Sequence, residues 1–243
     1  MEQELELEKQ LKEELKNNHN KYTKKAKDLE LSLCLLNNHY FEDKLLEQGY
    51  KYIAGVDEVG RGPLIGPVVV ACVILPEHFK LEGLTDSKKL TQKQREKFYD
   101  IIMEQALSVS VALKSEKVID QVNIYEATKL AMYDAIKNSK VKPDVVLIDA
   151  MKLEKLEIPS LSIIKGDMKS ITISAASVIA KVTRDRMLDE LDKIYPMYDL
   201  KHNKGYPTKK HIEAIEKYGI VEEHRKTFSP VSQHINHINT YRS

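Results

Sequence analysis

The stretch Ile53-Ala54-Gly55-Val56-Asp57-Glu58-Val59-Gly60-Arg61-Gly62-Pro63 decides the fold of this chain. An apolar, partly β-branched segment, Tyr52 to Val56, reads as a strand that runs straight into two acids and then into glycines. The same pattern recurs twice. Val145-Val146-Leu147-Ile148 is closed by Asp149, and Ile163-Ile164-Lys165-Gly166 is closed by Asp167. Strands of one sheet that end on the same edge bring such acids together. Carboxylates packed so closely repel, and one would be driven to protonate. A divalent cation reverses that penalty. Oxygen-only donors, with no Cys or His cluster, suit a hard ion such as Mg2+ or Mn2+. Two ions about 4 Å apart can clamp the attacking water and the leaving oxygen of a phosphodiester.

One acid at a strand end is more commonly a turn former or a helix cap. Asp167 by itself could cap a helix beginning near Ser170, and Asp149 could simply open a loop. Neighbouring residues on a regular strand point to opposite faces. Asp57 and Glu58 therefore share a site only if the strand ends or bulges there, and Gly60 and Gly62 allow such a break.

Outward from these acids, Pro67 to Leu75 is a β-branched run expected to be buried on both faces. Thr91 and Gln94 make a capping box for a helix whose apolar face is Phe98, Ile101 and Ile102. Ser108 to Leu113 alternates as a half-exposed strand. Asn123 caps a helix reaching Asn138, and Asp144 to Ile148 and Leu161 to Ile164 are short strands. Helices are expected over Thr172 to Tyr195 and Lys209 to Tyr218. The order predicts an α/β fold: a mixed five-stranded sheet flanked by helices, with a helical C-terminal part and an N-terminal helical extension. The first three strands pair largely antiparallel. The helix before Asp144 crosses over to a strand parallel to the first. Two units are expected, an extension over residues 1–49 and a catalytic domain over 50–243. In the extension, Leu7, Leu11 and Leu15 give a thin stripe on a solvated helix or linker, and one more apolar helix spans Leu31 to Gln48.

Bulk properties set the frame. The 243 residues hold 42% hydrophobic and 31% charged residues, enough for a full core. The net charge of +1 does not by itself announce a nucleic-acid binder, so local charge must carry that reading. Two cysteines, Cys34 and Cys72, sit among apolar residues and read as buried free thiols. The charged N-terminus is no secretory signal, and the apolar run Val68 to Leu75 is too short to span a bilayer. A cytoplasmic monomer without a membrane partner is expected.

Two further segments bear on a polyanion. Gly60-Arg61-Gly62 can bring backbone amides close to a phosphate, although a tight turn explains the glycines equally. Residues 201–211 hold four lysines, two histidines and one aromatic, Tyr206, a mixture suited to phosphates plus stacking but also to a solvated loop. Ser87 and Lys88, after Asp86 and just before a helix, could hold another phosphate, beside the plainer reading of a simple turn with an N-terminal charge pattern.

The stretch Ile53 to Pro67 resembles the signature of ribonuclease HII, the bacterial type 2 ribonuclease H. The likeness continues in order through Asp86 to Leu90, Asn123 to Met132, Leu147 to Ala150, Ile164 to Arg186, Asn203 to Thr208, His224-Arg225 and Phe228 to Val231. It spans roughly residues 40–235. The resemblance implies the ribonuclease H-like fold and a metal-dependent endoribonuclease using Mn2+ or Mg2+. Its catalytic and metal-binding residues fall on Asp57, Glu58, Asp149 and Asp167. It implies that Gly60, Arg61 and Gly62 sense the 2′-hydroxyl and backbone, that Lys88 contacts phosphate, and that Tyr206 stacks on a neighbouring deoxyribose. The implied substrates are RNA–DNA hybrid duplexes and DNA containing ribonucleotides, cut to 3′-hydroxyl and 5′-phosphate ends in ribonucleotide excision repair. Ile65, Ser174, Pro207 and Thr227 depart from the family's usual residues, which leaves the pose of Tyr206 beside Pro207 open. A DNA-cutting enzyme of the same fold, a non-catalytic binding module and a small phosphate-ester hydrolase are the competing readings.

Overall fold

In the computed structural model, residues 2–17, 23–85 and 87–240 are described; Asp86 lies outside them. Three N-terminal helices come first, α1 (Glu2–Asn17), α2 (Lys24–Leu36) and α3 (Tyr40–Glu47). Then follow β1 (Ile53–Val59), β2 (Val68–Ile74), α4 (Gln92–Gln105), β3 (Ser108–Lys114), α5 (Glu116–Val122), α6 (Ile124–Lys137), β4 (Val145–Asp149) and β5 (Ser160–Ile163). A 3-10 turn at Gly166–Met168 leads into α7 (Ile171–Ile194), then α8 (Leu200–Asn203), α9 (Lys209–Tyr218) and α10 (Val231–Thr240).

The sheet order is β3-β2-β1-β4-β5, with β1–β2 and β2–β3 antiparallel and β1–β4 and β4–β5 parallel. This is the expected mixed sheet. β2 explains why its run carries no polar interruption. Val69, Ala71 and Val73 pack toward α4 and α7, while Val70, Cys72 and Ile74 pack toward α6, all fully buried. Cys72 is a free, buried thiol pushed up to about 12 by that burial. The side chain of Cys34 lies outside the described residues.

Helix α7 crosses β1 closely because Gly55 has no side chain. A Cβ there would fall inside the backbone of Thr172 and Ile173. The first turns of α7, Ile171 to Ala180, are wholly buried, and Ser170 caps them by accepting from the Ile173 amide. The capping box at Thr91–Gln94 and the Asn123 cap of α6 form as the residues dictate.

Three expectations need correction. The single helix expected from Leu31 to Gln48 is two helices. Asn37 ends α2, its side-chain oxygen accepts from the His39 amide, and its amide nitrogen donates to Asp43 on α3. A short polar side chain offering the backbone its own hydrogen bonds outcompetes helix continuation. The N-terminal stripe is not a solvated linker: Leu11 and Leu7 pack against Ala26, Leu29 and Leu33 of α2, whereas Leu15 stays 43% exposed. Finally, α5, α8 and α10 were not anticipated, the first two being only seven and four residues long.

Candidate active site

Asp57 and Glu58 do not break their strand. β1 stays regular through Val59, pairing Asp57 with Ala71 and Glu58 with Val70. The expected end or bulge of the strand at the two acids is absent, yet their charges still act on each other, beside the other edge of β1. There the parallel pairing with β4 stops at Val56–Ile148, so β1 runs on past the end of its neighbour. Asp149 closes β4 one position later, beside the acids.

The charges act on one another. Burial pushes the Asp57 carboxyl well above the usual range, and the charges of Glu58 and Asp149 push it the same way. Burial also raises Glu58, with Asp149 adding to the rise while Arg61 and Lys88 oppose it. Two donors hold Asp57 in place: the Glu58 amide at 2.7 Å, and the hydroxyl of Ser177 on α7. Ser177 shares a 2.9 Å hydrogen bond with Ser87, which connects the Ser87-Lys88 turn to the acids. Asp149 Oδ1 accepts from the Gly166 amide at 2.7 Å. Buried Asp167 follows one residue later in the 3-10 turn, and its carbonyl accepts from Ser174 Oγ at 2.8 Å. Asp57, Glu58 and Asp149 are thus brought together, whereas Asp167 stands one residue beyond the glycine whose amide Asp149 accepts.

Among the described residues, no group of three or more His, Cys, Asp or Glu side chains converges tightly enough to hold an ion as placed. The donor chemistry nevertheless fits a cation. Glu58 Oε2 is buried with no hydrogen-bond partner, and burial plus like charge raises both Glu58 and Asp57. A hard divalent ion supplies the charge these oxygens lack.

The glycine loop is built by two arginines to which the sequence reading assigned no role. Arg184 of α7 and Arg225 are buried, and both guanidiniums are spent on carbonyls. Arg184 donates to Pro67 O, Ile65 O and Lys204 O, each at 3.0 Å. Arg225 donates to Gly60 O at 2.6 Å, Arg61 O at 3.0 Å and Gly66 O at 2.9 and 3.0 Å. In a trans peptide the N–H points opposite to the preceding C=O. With the Gly60 and Arg61 carbonyls drawn inward, the amides of Arg61 and Gly62 face outward. Gly60 takes φ +95°, and a Cβ there would strike Arg184. Burial lowers Arg184 to about 10 and Arg225 to about 9, so both stay cationic at neutral pH.

Tyr206 meets this loop directly. A Cβ on Gly62 would lie 3.2 Å from the Tyr206 ring, which is 44% exposed. Gly205 fits against Ile65 and Pro63 at φ +82°, and its carbonyl accepts from the Leu64 amide at 2.8 Å. Of the unusual residues, Ile65 is buried at this contact. Ser174 Oγ also donates to Ser170 O at 2.9 Å, and Thr227 donates from its amide and hydroxyl to Asp120. Arg184 went unread because an arginine on a helix is ordinarily solvated. Nothing in Lys181 to Arg186 says that the guanidinium points inward.

A mixed sheet carrying carboxylates at the ends of β1 and β4, beside a loop of outward amides, defines the ribonuclease H-like class of hydrolases. The family model described as Ribonuclease HII matches residues 54–231. Ribonuclease HII of Bacillus cytotoxicus is 60% identical over 195 residues, covering 80% of this chain and 75% of the relative. Ribonuclease HII of Bacillus cereus strain ZK / E33L is 58% identical, covering 80% and 76%. The solved ribonuclease H2 of Pyrococcus horikoshii OT3 superposes with a TM-score of 0.67 at 29% identity, over 77% of this chain and 99% of that one. Bst-RNase HIII, solved with Mn2+, shares the fold alone, with a TM-score of 0.57 at 16% identity over 78% and 71% of the two chains. The chain belongs to the ribonuclease HII family. It is a metal-dependent endoribonuclease of the ribonuclease H type, acting on RNA–DNA hybrids.

Proposed function

We propose that this enzyme, besides hydrolysing the RNA strand of hybrids, nicks duplex DNA on the 5′ side of embedded ribonucleotides, leaving 3′-hydroxyl and 5′-phosphate ends. The observation that carries this reading is the junction of three mutually repelling acids, Asp57, Glu58 and Asp149, with the Gly60–Gly62 loop and the Tyr206 ring laid over Gly62. Asp57, Glu58, Asp149 and Asp167 would hold two Mn2+ or Mg2+ ions, which when bound acidify the attacking water and neutralise the leaving 3′-oxygen.

The chain's own groups set the specificity. An A-like hybrid groove offers side chains no base code, so the 2′-hydroxyl and the duplex shape must be read instead. The outward amides of Arg61 and Gly62 present donors to the ribose and its phosphate. The Arg61 guanidinium sits 3.4 Å from Glu58 and adds a fork of donors. Exposed Lys88, whose charge reaches Glu58, takes a phosphate. Tyr206 stacks on the deoxyribose that follows the ribonucleotide, so the loop and the ring together read one ribo–deoxy junction. The acids, the loop and the ring need no second copy of the chain, and we place the enzyme as a monomer. No helix among the described residues is long and apolar enough to cross a membrane. We place the enzyme in the cytoplasm, in ribonucleotide excision repair, with residues 1–49 as an extension of the catalytic domain over 50–243.

The test is a DNA duplex holding one ribonucleotide, incubated with Mn2+ or Mg2+ and again with chelator, the nick being mapped at nucleotide resolution. A chelator-sensitive nick 5′ of the ribonucleotide is expected, with an all-DNA duplex untouched. Cutting of the all-DNA duplex, or ends of the opposite polarity, would overturn the reading. Asp57→Asn should abolish cleavage while leaving duplex binding in place.

A further inference from the structure

Behind Tyr206 lies a pair of histidines to which no role attaches so far. His211 on α9 and His224, just before Arg225, are both fully buried. Their Nε2 atoms are 3.4 Å apart. His224 Nδ1 accepts from the Val221 amide at 3.0 Å, so its ring proton sits on Nε2. That N–H points at His211 Nε2, which must then accept, leaving the His211 proton on Nδ1. His211 Nδ1 is 3.0 Å from the carbonyl of Tyr206 and donates to it. The partners thus assign both tautomers and one direction of donation, from Val221 through His224 and His211 to Tyr206 O. Burial lowers both imidazoles, His224 to about 4, so the pair is neutral as this chain of bonds requires.

The surroundings fix the pair and pass its position on. Tyr198 packs edge-on against His224 and His211, with ring centres 5.0 and 5.9 Å away, and its hydroxyl donates to Gly219 O at 2.8 Å. His224 forms a bridge with Ile65, and the next residue, Arg225, holds the carbonyls of Gly60 and Arg61. One end of the pair therefore registers the glycine loop and the other the backbone of Tyr206. The Tyr206–Pro207 bond offers no N–H of its own to hold this segment, which is also held by the Tyr206 amide on Asn203 O, the Thr208 amide on Tyr206 O and, one residue before, the Leu64 amide on Gly205 O and the Gly205 amide on Asn203 Oδ1.

We propose that His211 and His224 are positioning residues: a buried two-imidazole relay that fixes the height of the Tyr206 ring over Gly62 and so sets recognition of the ribo–deoxy junction. The inference rests on the stacking role given to Tyr206 under Proposed function. Neither histidine touches substrate. What they supply, among the described residues, is the one side-chain hydrogen bond received by the Tyr206 carbonyl.

The experiment compares kcat and KM on two substrates, the single-ribonucleotide duplex and a long RNA–DNA hybrid, for His211→Leu, His211→Asn, Tyr206→Ala and the Tyr206→Ala/His211→Leu double variant. Asn places an amide donor where Nδ1–H stood. Losing one aromatic stack corresponds to about tenfold or more. The ratio of kcat/KM between the two substrates should fall by about tenfold in His211→Leu and in Tyr206→Ala, no further in the double variant, and should return to within about twofold of wild type in His211→Asn. An equal loss on both substrates by His211→Leu, failure of Asn to rescue, or a further fall in the double variant overturns the relay. So does an unchanged ratio in His211→Leu beside a lowered one in Tyr206→Ala. An unchanged ratio in Tyr206→Ala instead overturns the stacking role itself, and the relay's function with it. Nitrogen-15 spectra of the imidazoles at neutral pH give an independent check on the double and Leu variants' parent. The expected tautomers are Nδ1–H for His211 and Nε2–H for His224, and the opposite assignment refutes the relay directly.

Discussion

Replacing Arg225 with Met should unfold the glycine loop before it disturbs the sheet. Arg225 makes four hydrogen bonds to three carbonyls, and two of those carbonyls, on Gly60 and Gly66, belong to buried residues. Methionine fills a similar volume but donates nothing. Each buried carbonyl left without a partner costs about 1–3 kcal/mol, which places the loss at roughly 2–6 kcal/mol. The lower half of that range is favoured, because the guanidinium's own desolvation is relieved when it is removed. At about 2–4 °C per kcal/mol for a chain of this size, Tm should drop by roughly 5–15 °C. Activity should fall further than stability. Freed of Arg225, the Gly60 and Arg61 carbonyls can turn outward, and the Arg61 and Gly62 amides turn away from the substrate with them. Arg225→Lys should recover charge but not the fork, and so remain well below wild type. The assays are a thermal melt and kcat/KM on a hybrid duplex at a temperature where both proteins are folded. A Met variant that melts within about 2 °C of wild type and cleaves normally refutes the clamp.

Other outcomes follow from the same packing. His224 is held neutral, its range lowered to about 4 by burial and by the neighbouring His211. Its stabilisation is therefore complete above the ordinary histidine value near 6.5 and is lost as pH falls toward 4. Urea unfolding should show wild type losing about 2 kcal/mol more than His224→Asn between pH 6.5 and 5, and parallel losses would contradict the burial. Glu42 of α3 is buried, and its Oε1 accepts from Ser170 Oγ at 2.5 Å, Thr172 Oγ1 at 2.7 Å and the Thr172 amide at 3.0 Å. Burial nonetheless raises its carboxyl. The folded state then binds the proton more tightly, so stability is full below the unfolded value near 4.5 and declines as pH rises through the folded one. Glu42→Gln should flatten that decline in a pH series of melts, whereas an identical slope would show that the group is not buried as described. Gly55→Ala should cost about 3 kcal/mol or more, since the added methyl meets helix backbone and not a movable side chain. A soluble variant of wild-type Tm would mean that α7 stands farther from β1.

How much of this was readable beforehand differs between the sheet and its loops. Strand ends, caps and burial are local matters. The apolar run of β2, the Thr91–Gln94 box and the Asn123 cap follow from side-chain volume, polarity and period alone, so the mixed sheet was legible, as was the placing of Asp149 at the end of the strand beside Asp57 and Glu58. The resemblance of the glycine and tyrosine motifs supplied the substrate class. The break at Asn37 was missed because a side chain competing for backbone hydrogen bonds looks the same in sequence as one facing water.

What only the tertiary structure decided was everything that depends on residues far apart in sequence pointing at one another. Arg184 and Arg225 reach carbonyls 117 and 165 residues away, Glu42 caps a helix 130 residues on, and His211 meets His224 inside a core. Polar side chains are ordinarily solvated, so their types alone assign these five to the surface. They are buried because the backbone groups they satisfy are buried with them, and that pairing exists only once the chain has folded.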